Sequence, residues 1–230
     1  MLTLITGAGG ALGSAVARLL VGRGQRVALV ERRPSLATLG AELGAAAVSA
    51  YVSDSSSAEF ARALAECEAA AGEPVSCAAL VAGGWAGGVL VHEGAHELAD
   101  MLDLNTLSVH AALAGLLPGM VARGAGAVVI VGSRNVERPW SGKGSAAYTA
   151  SKAAAVAFAQ AAAAEVLSSG VRVNSVLIST MDTEANREGM PDADPTRWVS
   201  TESAAGVVAF LLSEEARDIS GASVPVYGRA

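Results

Sequence analysis

Lysine is nearly absent from this 230-residue chain: of sixteen basic residues only Lys143 and Lys152 are lysine. Basic charge as a whole is in deficit, because 22 acidic residues leave a formal net charge of −6 and a pI near 5.1. Phosphate-backbone binding calls for a basic face, so no nucleic-acid groove is expected. Aromatic residues make up only 4% of the chain although apolar residues reach 52%. The apolar mass is Ala, Val and Leu, small side chains that let helices and backbones approach closely, as tight α/β layering requires. Cysteine is limited to Cys67, in a helix-like stretch, and Cys77, which opens an apolar run. That pattern predicts two buried free thiols in a reducing compartment. The N-terminus lacks a basic region followed by a cleavage site. The apolar stretch 109–122 is interrupted by His110, Pro118 and Gly119 and falls short of the ~20 residues a spanning helix needs. A cytoplasmic protein with no nucleic-acid and no membrane partner is the expectation.

Histidine is scarce too, yet two of the three stand in His92-Glu-Gly-Ala-His96. His-Glu-x-x-His is the zinc-peptidase pattern, in which two imidazoles one helical turn apart hold the metal and the glutamate acts as base. Gly94 inside the ligand helix would cost about 1 kcal/mol relative to Ala. His110, Asp100 and Asp103 offer no third ligand at a suitable spacing, so no metal is expected.

What is present is an alternation of two periodicities. Short apolar runs at 2–6, 26–30, 46–52, 76–81, 127–131, 171–177 and 223–226 read as strands. Helical spacing begins at Leu12, Ala15, Val16, Leu19 and Leu20 and ends at Gly22 and Gly24; it returns over about 57–71, 97–121, 146–167 and 203–212. Ser56 with Glu59 fits a capping box. Strand-helix alternation predicts a doubly wound, Rossmann-type parallel sheet with helices on both faces. No linker or repeat divides the chain, so residues 1–230 are expected to form one domain.

Thr6-Gly-Ala-Gly-Gly-Ala-Leu-Gly13 falls between the first strand and the first helix. Glycines there let the chain turn sharply and bring backbone N–H groups to a pyrophosphate at the positive end of the helix. Gly7, Gly9, Gly10, Ala11, Leu12 and Gly13 are therefore candidate cofactor residues. Glu31 closes the second strand, eighteen residues after Gly13, where a carboxylate can bind the adenosine ribose hydroxyls and repel a 2′-phosphate. Arg32 and Arg33 follow and offer that phosphate a partner. NAD(H) is the preferred cofactor on this reading, with NADP(H) as the alternative.

Tyr148-Thr-Ala-Ser-Lys152 puts a phenol and an amine four residues apart on one helix face. A phenol near pKa 10 is a poor acid or base at neutral pH, and a neighbouring ammonium favours the phenolate. Ser133 follows the fifth strand, and Asn105 lies in the preceding long helix.

In this set the chain resembles the short-chain dehydrogenases/reductases, from the Gly7–Gly13 loop through Asn105, Ser133, Tyr148-x-x-x-Lys152 and Val171-Arg-Val-Asn174 to the last strand. The resemblance implies an oxidoreductase in which Tyr148 is the general acid/base and Ser133 hydrogen-bonds the reacting oxygen. Lys152 would tune Tyr148 and hold the nicotinamide ribose, Asn105 would support a relay water, and Ala82, Gly83, Tyr148 and Thr183 would line the cofactor. It also implies a homodimer or homotetramer. Departures from the usual family pattern are Leu80-Val-Ala-Gly83 after the fourth strand, Ile178-Ser179 after the sixth, and Tyr51 where an aspartate is common, which leaves Asp54 as a helix cap. Val81-Ala-Gly-Gly-Trp-Ala-Gly-Gly88 and the Asp182–Asp194 block with Trp198 are similar to the quinonoid dihydropteridine reductases, which lack the serine retained here as Ser133. The substrate expected is a small carbonyl or quinonoid molecule. Candidate substrate residues are Trp85, Arg134, Trp140, Asn186 and Met190, the last two on a lid near 181–200. A non-catalytic nucleotide sensor on the same fold is the alternative of another class.

Overall fold

The computed structural model describes residues 1–32, 36–92 and 95–229. Arg33, and Glu93 and Gly94 of the histidine motif, lie outside them. Seven strands run parallel in one sheet: β1 (Leu2–Thr6), β2 (Arg26–Glu31), β3 (Ala47–Tyr51), β4 (Val75–Leu80), β5 (Gly126–Ser133), β6 (Val171–Ile178) and, after the short β7 (Met181–Asp182) and β8 (Val199–Ser200), β9 (Ser223–Val226). Their order is β3-β2-β1-β4-β5-β6-β9. The strands are apolar on both faces because both are covered, as a parallel sheet demands; all five residues of β1 are buried.

One face is covered by α3 (Ser57–Ala71), α5 (Ser108–Arg123) and α6 (Ala146–Val166), over a core that includes Leu4, Val30, Phe60, Leu80, Leu116 and Ile130. The other is covered by α1 (Ala11–Gly22) and α8 (Thr201–Leu212), over Ile5, Val16, Leu29, Val129, Val176 and Val208. The doubly wound architecture is thus the one the alternation predicts. Elements not anticipated are α2 (Leu36–Leu43) and α7 (Glu184–Gly189), both eight residues or fewer and weakly periodic. At Ser56 only half of the capping box forms. Ser56 Oγ accepts from Glu59 N at 3.3 Å, but the Glu59 carboxylate accepts from Ser53 N at 2.9 Å.

The long helix predicted over 97–121 is a composite. It comprises α4 (Ala95–Leu102), a π-helical stretch Asp103–Leu107 and α5, continuous through Pro118. The run Glu97–Arg123 is long and apolar enough to cross a membrane by length and composition alone. Its apolarity has a use within the fold, since Val109, Ala112, Leu113, Leu116 and Met120 are buried in the core. Cys67 and Cys77 are both free and buried; burial pushes the Cys67 thiol up to about 11.

His92 is exposed in a turn, its N–H donating to Val89 O at 2.7 Å, whereas His96 belongs to α4 (Ala95–Leu102). The two histidines therefore do not share the helix that a zinc-peptidase ligand pair needs.

Candidate active site

A doubly wound sheet opens a crevice where the strand order reverses, here between β1 and β4. The loop leaving β1 turns at Gly7, whose φ of +64° suits glycine. A Cβ on Gly7 would stand 2.8 Å from the backbone of Ala82, in the loop leaving β4, and one on Gly13 would stand 2.2 Å from Gly7 O. The loops leaving β1 and β4 can lie this close only with glycine at position 7, and α1 can pack on the β1 loop only with glycine at position 13. Ala82 N donates to Thr6 Oγ1 at 3.1 Å and fixes their spacing. Gly10 caps α1 without a side-chain hydrogen bond, and no acidic residue stands in the first turn of α1. The positive helix end is left without a side-chain counter-charge of its own.

The result is a cleft of about 790 Å³. Of the predicted cofactor residues, Gly7, Gly9, Gly10, Ala11, Leu12, Glu31, Arg32, Ala82 and Gly83 line it, as does Trp85, with Asp54 and Ser55 at the end of β3. Gly13 stands behind the loop as a packing residue. One Glu31 oxygen accepts from Gly9 N at 3.2 Å and the other from Arg32 N at 2.8 Å, so the carboxylate is braced at the end of β2. Asp54 caps the turn into α3, accepting from Ser56 N at 2.8 Å, and its carboxyl is held below the usual range by hydrogen bonds from Ser56.

From the cleft the construction continues through Gly83. A Cβ there would meet Asn105 Oδ1 at 2.6 Å and Lys152 Nζ at 2.8 Å, so both side chains occupy space that glycine leaves. Asn105 is fully buried in the π-helical stretch. Its Oδ1 accepts from Gly84 N at 3.0 Å, and its Nδ2 donates to Gly84 O and to Ser151 Oγ, each at 3.0 Å. Ser151 in turn donates to Tyr148 O at 2.8 Å. The carboxamide thus ties the β4 loop to α6.

Lys152, 5% exposed, donates from Nζ to Val131 O at 3.0 Å, and burial alone brings its pKa down to about 8. Tyr148 is half-buried. Burial raises its phenol above the ordinary value of 10, opposed by a hydrogen bond with Ser133. The expected lowering of Tyr148 by Lys152 is not met in this geometry, because desolvation is the larger effect and the ammonium is committed to Val131. Ser133 is itself buried at the end of β5, with Oγ accepting from Asn135 N at 3.3 Å.

The predicted substrate residues separate. Trp85 is 68% exposed in the cleft wall, its ring over Gly87. Trp140 lies instead along a second groove, with Val89, Leu90, Asn135 and Thr149. Arg134, Asn186 and Met190 are not among the described residues that line either one. Asn186 Nδ2 donates to Met181 O at 2.8 Å, and Thr183 caps α7 by accepting from Asn186 N at 3.2 Å. These contacts shape the segment 181–200, whose ends are pinched together where β7 pairs with β8. Sequence reasoning missed Ser151, although it stands inside the Tyr148–Lys152 motif, and Ser55, which carries no pattern of its own.

Residues 2–194 match the family model described as short chain dehydrogenase. The chain is 31% identical to nodulation protein G of Rhizobium sp., over 98% of this chain and 94% of that protein. It is 30% identical to the 3-oxoacyl-(acyl-carrier-protein) reductase MabA of Mycobacterium tuberculosis, over 98% of this chain and 90% of that one. Among solved structures, an oxidoreductase of the short chain dehydrogenase/reductase family from Burkholderia thailandensis superposes with a TM-score of 0.88 at 32% identity, over 99% of this chain and 91% of that chain. Loop, sheet order and family match agree: the chain belongs to the short-chain dehydrogenases/reductases, a family of oxidoreductases.

Proposed function

We propose that the protein is a single-domain, NAD(H)-linked reductase that converts a small carbonyl compound to an alcohol, with Tyr148 as the proton donor. The observation that carries this reading is Lys152, buried one helical turn from Tyr148 on the same helix, with its Nζ 2.8 Å from where a Cβ on Gly83 would stand at the cleft. A glycine cradle whose loops close on each other only because Gly7 lacks a Cβ, and a helix end with no side-chain cap, fit a dinucleotide, which when bound would supply the hydride. Gly9, Gly10, Ala11 and Leu12 would hold the pyrophosphate, Glu31 the adenosine ribose, Ala82, Gly83 and Thr183 the nicotinamide end, and Tyr148 and Lys152 the second ribose.

Because burial keeps the Tyr148 phenol protonated at neutral pH, it is in the form a reduction needs. Ser133 hydrogen-bonds the oxygen that becomes the alcohol, and Tyr148 delivers the proton to that oxygen. Asn105 and Ser151 position the helix that carries Tyr148. Asn186 and Met190 enter through the segment 181–200, as residues of a lid that closes over substrate, and Trp140 through the second groove; Arg134 has no part in this reading. Similarity to MabA, a 3-oxoacyl thioester reductase by name, supports an ordinary carbonyl. A quinonoid dihydropterin is the second reading, favoured by the exposed Trp85 ring at the cleft, which offers a flat substrate a stacking surface. The family commonly works as homo-oligomers, and a homodimer or homotetramer in the cytoplasm fits the composition.

The test is a substrate panel of ketones, quinones, a β-ketoacyl thioester and quinonoid dihydropterin, with NADH and NADPH. Turnover of a carbonyl with NADH supports the proposal. Nucleotide binding with no turnover of any member would support a sensor instead.

A further inference from the structure

The geometry points to Asp103 as a residue that biases cofactor choice, by holding Arg32 away from a 2′-phosphate. This inference rests on the reading that the cleft takes a nicotinamide dinucleotide. Arg32 is the only cation among the described residues lining the cleft, and it stands directly after Glu31, where a 2′-phosphate would arrive. Its Nη2 is already engaged. Arg32 Nη2 donates to Ser55 Oγ and, at 3.3 Å, to Asp103 Oδ2, while Ser55 Oγ donates to the same Asp103 oxygen at 3.2 Å. Asp103 opens the π-helical stretch that carries Asn105, so it reaches Arg32 from a different element than the one bearing Glu31.

The consequence is unequal for the two cofactors. A dinucleotide with a free 2′-hydroxyl needs only Glu31 and leaves the Arg32–Asp103 pair intact. A 2′-phosphate must draw the guanidinium away from Asp103, and meets the Asp103 carboxylate as a nearby like charge. The pair is 35% and 48% exposed, so its strength is that of a solvent-screened bridge, at most about fivefold in an equilibrium constant. Asp103 therefore biases the choice of cofactor in a graded way, and Glu31 supplies the remainder.

Calorimetric titration of the full chain with 5′-AMP and with 2′,5′-ADP separates the two nucleotides without requiring turnover. Asp103→Asn should tighten 2′,5′-ADP about fivefold and leave 5′-AMP where it is in the wild type. Adding Arg32→Ala should abolish the gain. If Asp103→Asn is not folded, as loss of 5′-AMP binding would reveal, Asp103→Ser serves the same comparison. A ratio of the two affinities that stays at the wild-type value in the folded variant overturns the inference while the cleft assignment stands. Failure of the wild type to bind 5′-AMP, 2′,5′-ADP or NADH overturns both.

Discussion

At the scale of single residues, three groups divide the chemistry between them by environment. Ser133 opposes the upward push that burial gives the Tyr148 phenol, and Lys152 is itself lowered to about 8 by burial. Tyr148→Phe removes the proton donor of the proposed reaction, so kcat should fall about 10²- to 10⁴-fold while NADH still binds. Lys152 makes a prediction about stability. Its folded pKa of about 8 lies below the 10.5 of the free side chain. Below pH 8 both states carry the proton, and the fold bears the cost of burying the charge. Between about 8 and 10.5 the unfolded chain holds the extra proton, so this group makes stability rise with pH, by a few kcal/mol at most. Urea midpoints of the wild type, taken relative to Lys152→Met, should climb across that window and be flat on either side of it. The Tyr-x-x-x-Lys and serine positions were legible in the sequence because their spacing survives without a structure. The dominance of burial over the charge of Lys152 was not, since it depends on how deeply α6 sits and on the carbonyl of Val131.

At the scale of elements, the glycine loop and the composite helix decide where those residues stand. Gly7→Ala meets both a positive φ and the backbone of Ala82. It should cost about 1–3 kcal/mol, read as a fall in Tm of several degrees. Gly83→Ala should act differently, because its Cβ meets the side chains of Asn105 and Lys152. Activity should drop more than stability, measured as kcat beside Tm. Ser151→Ala deletes the hydroxyl that joins Asn105 Nδ2 to Tyr148 O and should destabilise by about 1–2 kcal/mol, with kcat reduced through the displaced Tyr148. Strands, helices and the β1 loop were readable from periodicity and glycine placement. The π-helical stretch at Asp103–Leu107 was not, because its cause is tertiary: Asn105 is held by Gly84 and Ser151 from two other elements. The histidine motif shows the opposite failure, a legible pattern whose two imidazoles do not share a helix.

For the whole molecule, the order β3-β2-β1-β4-β5-β6-β9 opens the crevice between β1 and β4; alternation alone predicts the doubly wound parallel sheet but not this order. What spacing could not convey is which aromatic meets the cleft: Trp85 lines it, whereas Trp140 lies along the second groove. A ligand that binds only the folded chain stabilises it by mass action. NADH at about 100 times its Kd should therefore add about 2.7 kcal/mol and raise Tm by a few degrees. Glu31→Ala should diminish the shift with NADH more than that with NADPH. The measurement that bears most directly on the account is the rate of NADH consumption with the best carbonyl of the panel, for wild type and Tyr148→Phe at matched cofactor saturation. The account predicts turnover by the wild type and a loss of at least about 10²-fold in the variant, with NADH still bound. A Tyr148→Phe enzyme that keeps the wild-type rate would contradict it.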